Sequence, residues 1–243
     1  MNGLLRNFKK MKRKKVRVAI IDNSIDPSVY NPIDHWRAFL GVPWEAFRAV
    51  ETCFPDLDKG YTHIILTGSE ASIAERENWV YEETEVVQEA VERGIPILGS
   101  CYGHQLLVLA LRGPAHLRRC PQAEVGWIPI QIRKKNSLLG DEGEVYAFSI
   151  HFDEVIGLND DFLILASTSG CRIHAFELRS KPVWGIQSHP EINISAAREL
   201  LENLIRLELK SSPLFEAALR MRPKDSGLIW RIVRHFLASG ENP

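Results

Sequence analysis

The stretch IPILGSCYGHQLL, residues 95–107, places a cysteine between two glycines at the junction of two apolar runs. The first run, 95–99, is short and continuous, which favours a strand buried on both faces. The second, 103–111, predicts a strongly apolar helix. Cys101 would then lie on a sharp strand-to-helix turn, where glycines relieve backbone crowding. Such a turn holds the thiol at the carboxyl edge of the sheet, beside helix N–H groups that stabilise a thiolate or a developing oxyanion.

The flanking segments repeat this strand–helix alternation. Apolar runs at 16–22 and 62–68 predict strands, and 78–93 predicts a helix that stops at Gly94. The pattern predicts an α/β fold of three layers, flavodoxin-like, with a mostly parallel central sheet and helices on both faces. After Pro121, the short candidates GWIPIQI, EVYAFSI, HFDEVIG, FLILAST, CRIHAFEL and VWGIQS predict added antiparallel strands.

Three further segments have helical patterns. Residues 194–210 and 225–239 predict helices near the end of the chain, and 34–50 also looks helical, with interruptions at Gly41 and Pro43. The sequence has no internal repeat and no low-complexity linker. We therefore expect one domain over 16–243, including a C-terminal helical extension at 211–240.

Charge is distributed unevenly along the chain. Eight of the 30 basic residues lie between Arg6 and Arg17, and the rest of the chain carries a formal charge of −9. Residues 1–15 therefore predict a basic, disordered arm, and the acidic remainder argues against nucleic-acid binding. Met11 offers an alternative start of translation. The sequence has neither a secretory signal nor an apolar run of about 18 residues, so we expect a cytoplasmic protein without a membrane span.

A second constellation lies at VWGIQSHPEI, residues 183–192. Pro190 ends the apolar strand and leaves His189 at its edge, with Glu191 two residues further on. A cysteine nucleophile needs a general base, and the base needs a group that orients it. His189 and Glu191 are candidates for these two functions because a carboxylate can hold one ring nitrogen and leave the other for the sulfur.

GSCYGHQLL followed by GIQSHPE resembles the class I (triad-type) glutamine amidotransferase family, over roughly residues 16–205. The resemblance implies that Cys101 attacks the side-chain amide of glutamine, with His189 as base and Glu191 as its orienter. It further implies that the backbone N–H groups of Gly68 and Tyr102 form an oxyanion hole. The substrate site would include Gln105, His151 and Asp153. Ser69 stands where the family usually has a second oxyanion-loop glycine.

Three functions are compatible with this resemblance. The chain has no pyrophosphate-loop or phosphate-binding motif of a fused synthase, and it resembles stand-alone members related to the glutaminase part of GMP synthase and to γ-glutamyl peptidases. We expect a glutaminase that delivers ammonia to a separate synthase chain. The alternatives are a γ-glutamyl hydrolase acting on a larger compound and a catalytically silent interaction module. No cofactor or metal is implied, and the four cysteines form no CxxC pair.

Overall fold

The computed structural model describes residues 15–208 and 211–240, which form one mixed sheet of nine strands flanked by six α-helices. The predicted basic arm lies outside these residues, apart from Lys15. The strands are β1 (Val18–Asp22), β2 (Trp44–Arg48), β3 (His63–Leu66), β4 (Ile97–Ser100), β5 (Leu117–Ile132), β6 (Gly143–Val155), β7 (Phe162–Ser167), β8 (Ala175–Leu178) and β9 (Val183–Ile186). The helices are α1 (Pro32–Arg37), α2 (Val80–Glu92), α3 (Tyr102–Arg112), α4 (Ile194–Arg206), α5 (Ser212–Arg220) and α6 (Leu228–Ala238).

Five strands form the parallel part of the sheet, in the order β2-β1-β3-β4-β9. β1, β3, β4 and β9 are buried along their whole lengths, as expected for continuous apolar strands covered on both faces. β4 and β9 are neighbours, and Ser100 pairs with Ile186 at their carboxyl ends. The segments that follow these two strands therefore meet at one edge of the sheet, where open α/β sheets bind ligands.

The other strands extend the sheet in antiparallel fashion, in the order β9-β8-β7-β5-β6. β5 and β6 form a long hairpin, so the predicted strands EVYAFSI and HFDEVIG are largely one continuous strand. A register shift between Arg119 and Glu124 interrupts the hairpin ladder. Such an irregularity bends a strand and changes where its side chains point.

Helices cover both faces of the sheet. Ala19 and Ile21 of β1 pack in a core with α2 and α3, whereas Val18 and Ile20 pack with α1 and α6 on the opposite face. A third apolar cluster joins α4 and α5 to the β5–β6 hairpin. The three-layer α/β fold predicted from the sequence is confirmed.

The helix predicted over 34–50 is wrong for most of its length. Only Pro32–Arg37 are α-helical, Trp44–Arg48 form β2, the parallel edge strand beside β1, and a single 3₁₀ turn follows at Ala49–Glu51. The carbonyl of Pro43 accepts a hydrogen bond from the Val18 N–H, which starts the pairing of the two strands. A proline lacks an N–H and stops a helix, so the helical spacing could not continue through this point.

The C-terminal extension contains two helices, α5 and α6. The prediction over 225–239 is confirmed by α6, and the five residues of its predicted apolar face all pack in the core: Leu228, Ile229, Ile232, Val233 and Phe236. The extension 211–240 was expected to be helical, but no separate helix was predicted at Ser212–Arg220, where α5 forms. Within 15–208 and 211–240, every helix is too short or too polar to cross a membrane.

Candidate active site

Cys101 lies on the turn between β4 and α3, in a backbone conformation that side chains rarely adopt (φ 49°, ψ −103°). Such strain persists only where the surroundings impose it, and it is common at functional sites. Both flanking glycines are required by close packing. A Cβ on Gly99 would lie 2.4 Å from the Gly103 carbonyl oxygen, and one on Gly103 would lie 2.3 Å from the Leu66 carbonyl oxygen.

Substitution of Gly103 by alanine is expected to lower the free energy of unfolding by about 3 kcal/mol, because the new methyl group must displace backbone rather than a flexible side chain. Gly41→Ala is the matched control, since a Cβ there meets nothing within 4 Å. Urea unfolding of both variants measures the difference. Equal stabilities would contradict the close approach of α3 to β3.

His189 and Glu191 follow β9 and are both buried, at 3% and 1% exposure. The His189 N–H donates to the Phe148 carbonyl at 2.7 Å, which fixes the backbone. The His189 Nδ1 donates to the Glu191 carboxylate at 2.8 Å, since a buried carboxylate can only accept. The Ser100 hydroxyl donates to the same carboxylate at 3.2 Å. His189 Nε2 is therefore the nitrogen left to exchange a proton with Cys101.

The electrostatics of the cluster favour a charged imidazole. Burial would lower the pKa of His189, but the nearby Cys101 sulfur and the Glu191 carboxylate outweigh this penalty and raise the pKa to about 10. A hydrogen bond between Cys101 and His189 contributes to the same shift. The imidazolium of His189, compensated by Glu191, is thus favoured at neutral pH.

The raised pKa of His189 predicts a pH-dependent stability. Between the ordinary pKa near 6.5 and the folded-state pKa of about 10, the folded chain retains a proton at His189 that the unfolded chain has lost. The free energy of unfolding should therefore fall as pH rises through this window. Urea unfolding across it should show a steeper fall for the wild type than for His189→Gln. A constant difference between the two proteins would argue against the shift.

The two backbone groups expected to form an oxyanion hole lie beside this cluster. Tyr102 is the first residue of α3, so its N–H is one of the helical donors without an intrahelical acceptor. Gly68 follows β3 and approaches His189 closely: a Cβ there would lie 2.6 Å from the ring carbon Cε1. A side chain at position 68 would therefore displace the imidazole.

A cavity of about 420 Å³ opens beside Cys101 and His189. Leu200, Leu204 and Phe215 contribute an apolar wall to it. A wider cleft of about 800 Å³ lies along α6 and the far end of the β5–β6 hairpin, and the residues lining it include none of the predicted site residues. The smaller cavity is the better candidate site because it contains the strained cysteine.

The three predicted substrate-binding residues all border the smaller cavity. Gln105 donates from its side-chain amide to the Asp153 carbonyl at 2.8 Å. The Asp153 carboxylate accepts from the Ser72 hydroxyl at 2.7 Å and lies 3.4 Å from the Arg119 guanidinium. His151 differs from the other two, because its ring nitrogens face the Asp153 carbonyl and Glu124 within the protein.

The sequence pattern did not single out two residues that complete the site. Tyr30 packs edge-to-face on the His189 ring, with 5.9 Å between ring centroids, and borders the cavity. Ser100 holds the Glu191 carboxylate. Tyr30 lies in a loop that carries no motif, so no signal was available for it. The position of Ser100 beside the nucleophile in the elbow was a usable signal.

A family model described as glutamine amidotransferase class-I matches residues 20–207. Among related proteins, gamma-glutamyl peptidase 3 of Arabidopsis thaliana is 29% identical over 188 residues, covering 73% of this chain and 74% of that protein. A glutamine-hydrolyzing GMP synthase subunit of Methanocaldococcus jannaschii is 33% identical over 120 residues, covering 49% of this chain and 63% of that protein. The second match therefore spans less than two thirds of its relative.

Solved structures share the fold. A glutamine amidotransferase of Thermotoga maritima superposes with a TM-score of 0.68 and 18% identity, covering 93% of this chain and 99% of that one. The glutaminase domain of the Trypanosoma brucei CTPS, determined with bound acivicin, gives a TM-score of 0.56 and 19% identity, covering 78% and 92%. At these identities the likeness concerns the arrangement of strands and helices.

Proposed function

Because the chain belongs to the class I glutamine amidotransferase family, we propose that it hydrolyses the γ-glutamyl amide of glutamine through a thioester on Cys101 and releases ammonia. The observation that carries the proposal is the buried Cys101–His189–Glu191 arrangement at the carboxyl edge of the sheet. These residues supply a nucleophile, a proton carrier and a group that orients the carrier.

The first half of the reaction forms the thioester. The Cys101 thiolate attacks the γ-carbonyl carbon, and the negative charge that develops on the carbonyl oxygen is stabilised by the N–H groups of Gly68 and Tyr102. The intermediate collapses as the C–N bond breaks, and the protonated His189 gives its proton to the departing nitrogen. Glu191 compensates the imidazolium charge and keeps Nε2 directed at the sulfur.

The second half releases glutamate. A water molecule attacks the thioester carbonyl while the now neutral His189 accepts a proton from it, and the Cys101 thiolate leaves. At the mouth of the cavity, Asp153 and Arg119 are opposite charges suited to the amino and carboxylate groups of the glutamyl moiety. The ammonia is delivered, in this proposal, to a synthase on a separate chain.

The cavity favours a second candidate, hydrolysis of a larger γ-glutamyl amide. Its volume of about 420 Å³ falls within the range of pockets that hold ligands larger than a single amino acid. Leu200, Leu204 and Phe215 form an apolar wall, and the polar amide, amino and carboxylate groups of glutamine would not pack on it. A leaving group with an apolar portion would bury that wall, and the chemistry at Cys101 would be unchanged.

A substrate comparison tests both candidates. The full chain is assayed for glutamate release from glutamine and from γ-glutamyl dipeptides with small and with large apolar second residues. Turnover of glutamine above that of every dipeptide supports the ammonia-releasing function. Preference for the large apolar dipeptide supports the second candidate. If no substrate is turned over and none forms a thioester, both candidate functions are contradicted. The catalytically silent interaction module would then be the remaining interpretation.

If the apolar wall binds a leaving group, Phe152→Ala should raise KM for the apolar dipeptide about tenfold, because part of an aromatic contact is lost. The KM for glutamine should change less than about twofold by the same reasoning. Phe152 is half-buried, borders the cavity and packs edge-to-face on Phe215 of the apolar wall, with 6.4 Å between ring centroids. Phe39→Ala is the matched control, since Phe39 is also half-buried but packs on Trp230. Equal effects on both substrates would exclude selective binding of the leaving group at this wall.

A further inference from the structure

Glu124, His151 and His174 form a second polar cluster, beside the candidate active site. Glu124 on β5 and His151 on β6 are directly opposite each other in the hairpin register. The His151 Nε2 lies 3.0 Å from the Glu124 Oε2. His174 immediately precedes β8, and one ligand-capable atom from each of the three residues lies within 4.8 Å of the others.

Hydrogen bonds outside the cluster fix the direction of two of these groups. The His151 Nδ1 lies 3.1 Å from the Asp153 carbonyl, which can only accept, so Nδ1 carries a proton. In a neutral imidazole the Nε2 then presents a lone pair to Glu124. The other oxygen of Glu124, Oε1, accepts from the Thr168 hydroxyl at 2.5 Å. A neutral His151 would thus direct a lone pair at a carboxylate oxygen, an arrangement that needs a positive charge between the two atoms.

A proton on His151 could supply that charge, but it would not account for His174. The His174 side chain is buried, at 1% exposure, and its Nε2 has no hydrogen-bond partner among the described residues. A buried nitrogen without a partner is costly unless something binds it.

We propose that Glu124, His151 and His174 bind a divalent transition-metal ion of the zinc type, with an open fourth position. Two imidazole nitrogens and one carboxylate suit this class of ion. The Asp153 carbonyl accepts a hydrogen bond from His151 and the Thr168 hydroxyl donates one to Glu124, and such outer contacts orient metal ligands. Glu124 is partly exposed, with 11% of its side chain accessible, so an ion can reach the cluster from solvent at this residue.

Such an ion would connect β5, β6 and the start of β8 behind the wall of the cavity. Ile150, the neighbour of His151, offers its carbonyl to the Cys101 sulfur at 3.5 Å. The Asp153 carbonyl that accepts from His151 also accepts from Gln105. The ion would therefore stabilise the backbone on which these side chains depend without contacting a substrate.

Binding of Zn²⁺ and of Co²⁺ to the full-length Cys101→Ala chain tests the proposal, since this substitution removes the competing Cys101–His189 pair. We expect one equivalent of Zn²⁺ bound with micromolar or tighter affinity and visible d–d bands of tetrahedral Co²⁺. Adding His174→Gln should weaken binding more than about 100-fold, since a lost ligand costs more than a lost outer contact. Metal should also raise the midpoint of thermal unfolding, and His174→Gln should abolish that rise.

Two further variants keep the test decisive. Glu124→Gln retains the shape of the side chain and its contact with Thr168, and it serves if His174→Gln does not fold. His235→Gln on α6 is the matched control, because His235 packs on Trp184 in a different core cluster. Loss of binding in the cluster variants with retention in the control supports the site. No bound equivalent in the Cys101→Ala chain, or binding unaffected by both cluster variants, would overturn it.

Discussion

Replacement of Cys101 by alanine is expected to reduce γ-glutamyl hydrolysis by at least about 10⁴-fold while leaving the fold intact, because the reaction has no other nucleophile. The thiols of the half-buried Cys120 and the buried Cys171 are poor substitutes. Burial and nearby carboxylates raise the pKa of Cys120 to about 12 and raise that of Cys171 further, so both stay protonated. Steady-state glutamate release, together with mass detection of a trapped thioester, measures the effect.

Cys53→Ala is the matched control for this loss, because Cys53 is an exposed free cysteine remote from the elbow. It should retain wild-type activity. Thermal unfolding of the Cys101→Ala chain checks that the turn is still formed, since alanine must adopt the same positive φ as the cysteine. Comparable turnover in the Cys101→Ala and wild-type proteins would refute the thioester mechanism.

Glu191→Gln should reduce kcat/KM by roughly 10³-fold with little change in shape. The carboxylate is fully buried and accepts from His189 at 2.8 Å, so the amide removes the charge that compensates the imidazolium. The amide NH₂ can also face Nδ1 as a donor and favour the unproductive tautomer. The pKa of His189 should fall in the same variant, which NMR titration of its ring can follow.

The control for charge removal is Glu177→Gln, on β8 and away from the cavity. It should leave kcat/KM and the His189 titration unchanged. A Glu191→Gln protein with wild-type kcat/KM would show that Ser100 and the backbone alone orient the imidazole. In that case the role proposed for the carboxylate would have to be abandoned.

The parallel part of the fold was predictable because its strands are continuous apolar runs that end at turn residues. β1, β3, β4 and β9 follow this rule, and the elbow at Cys101 follows from its two glycines. β2 was not predicted because its residues are largely exposed, as is common at a sheet edge. The apolar spacing of WEAFR fits both the two-residue period of a strand and the 3.6-residue period of a helix. Its strand conformation is set by pairing with β1, which is information outside the segment.

Contacts between distant segments set the remaining features of the site. Cys101, His189 and Glu191 were identifiable because two local motifs carried them. Tyr30 was not, since its position against His189 depends on how the loop after β1 folds back. Glu124 and His174 were also not predictable, because only the pairing of the strands brings them close to His151. Their spacing along the chain matches no metal-binding motif.

The residues matched by the family model, 20–207, end before α5, and this boundary separates the predicted catalytic residues from part of the cavity wall. The family region ends at residue 207, and it contains Cys101, His189 and Glu191. Part of the cavity wall, including Ser211 and Phe215, comes from the segment that follows. If the cavity holds the leaving group as proposed, exchange of the segment after residue 207 would change its contacts and leave Cys101, His189 and Glu191 in place. Transplanting residues beyond 207 between relatives would then alter the leaving-group preference.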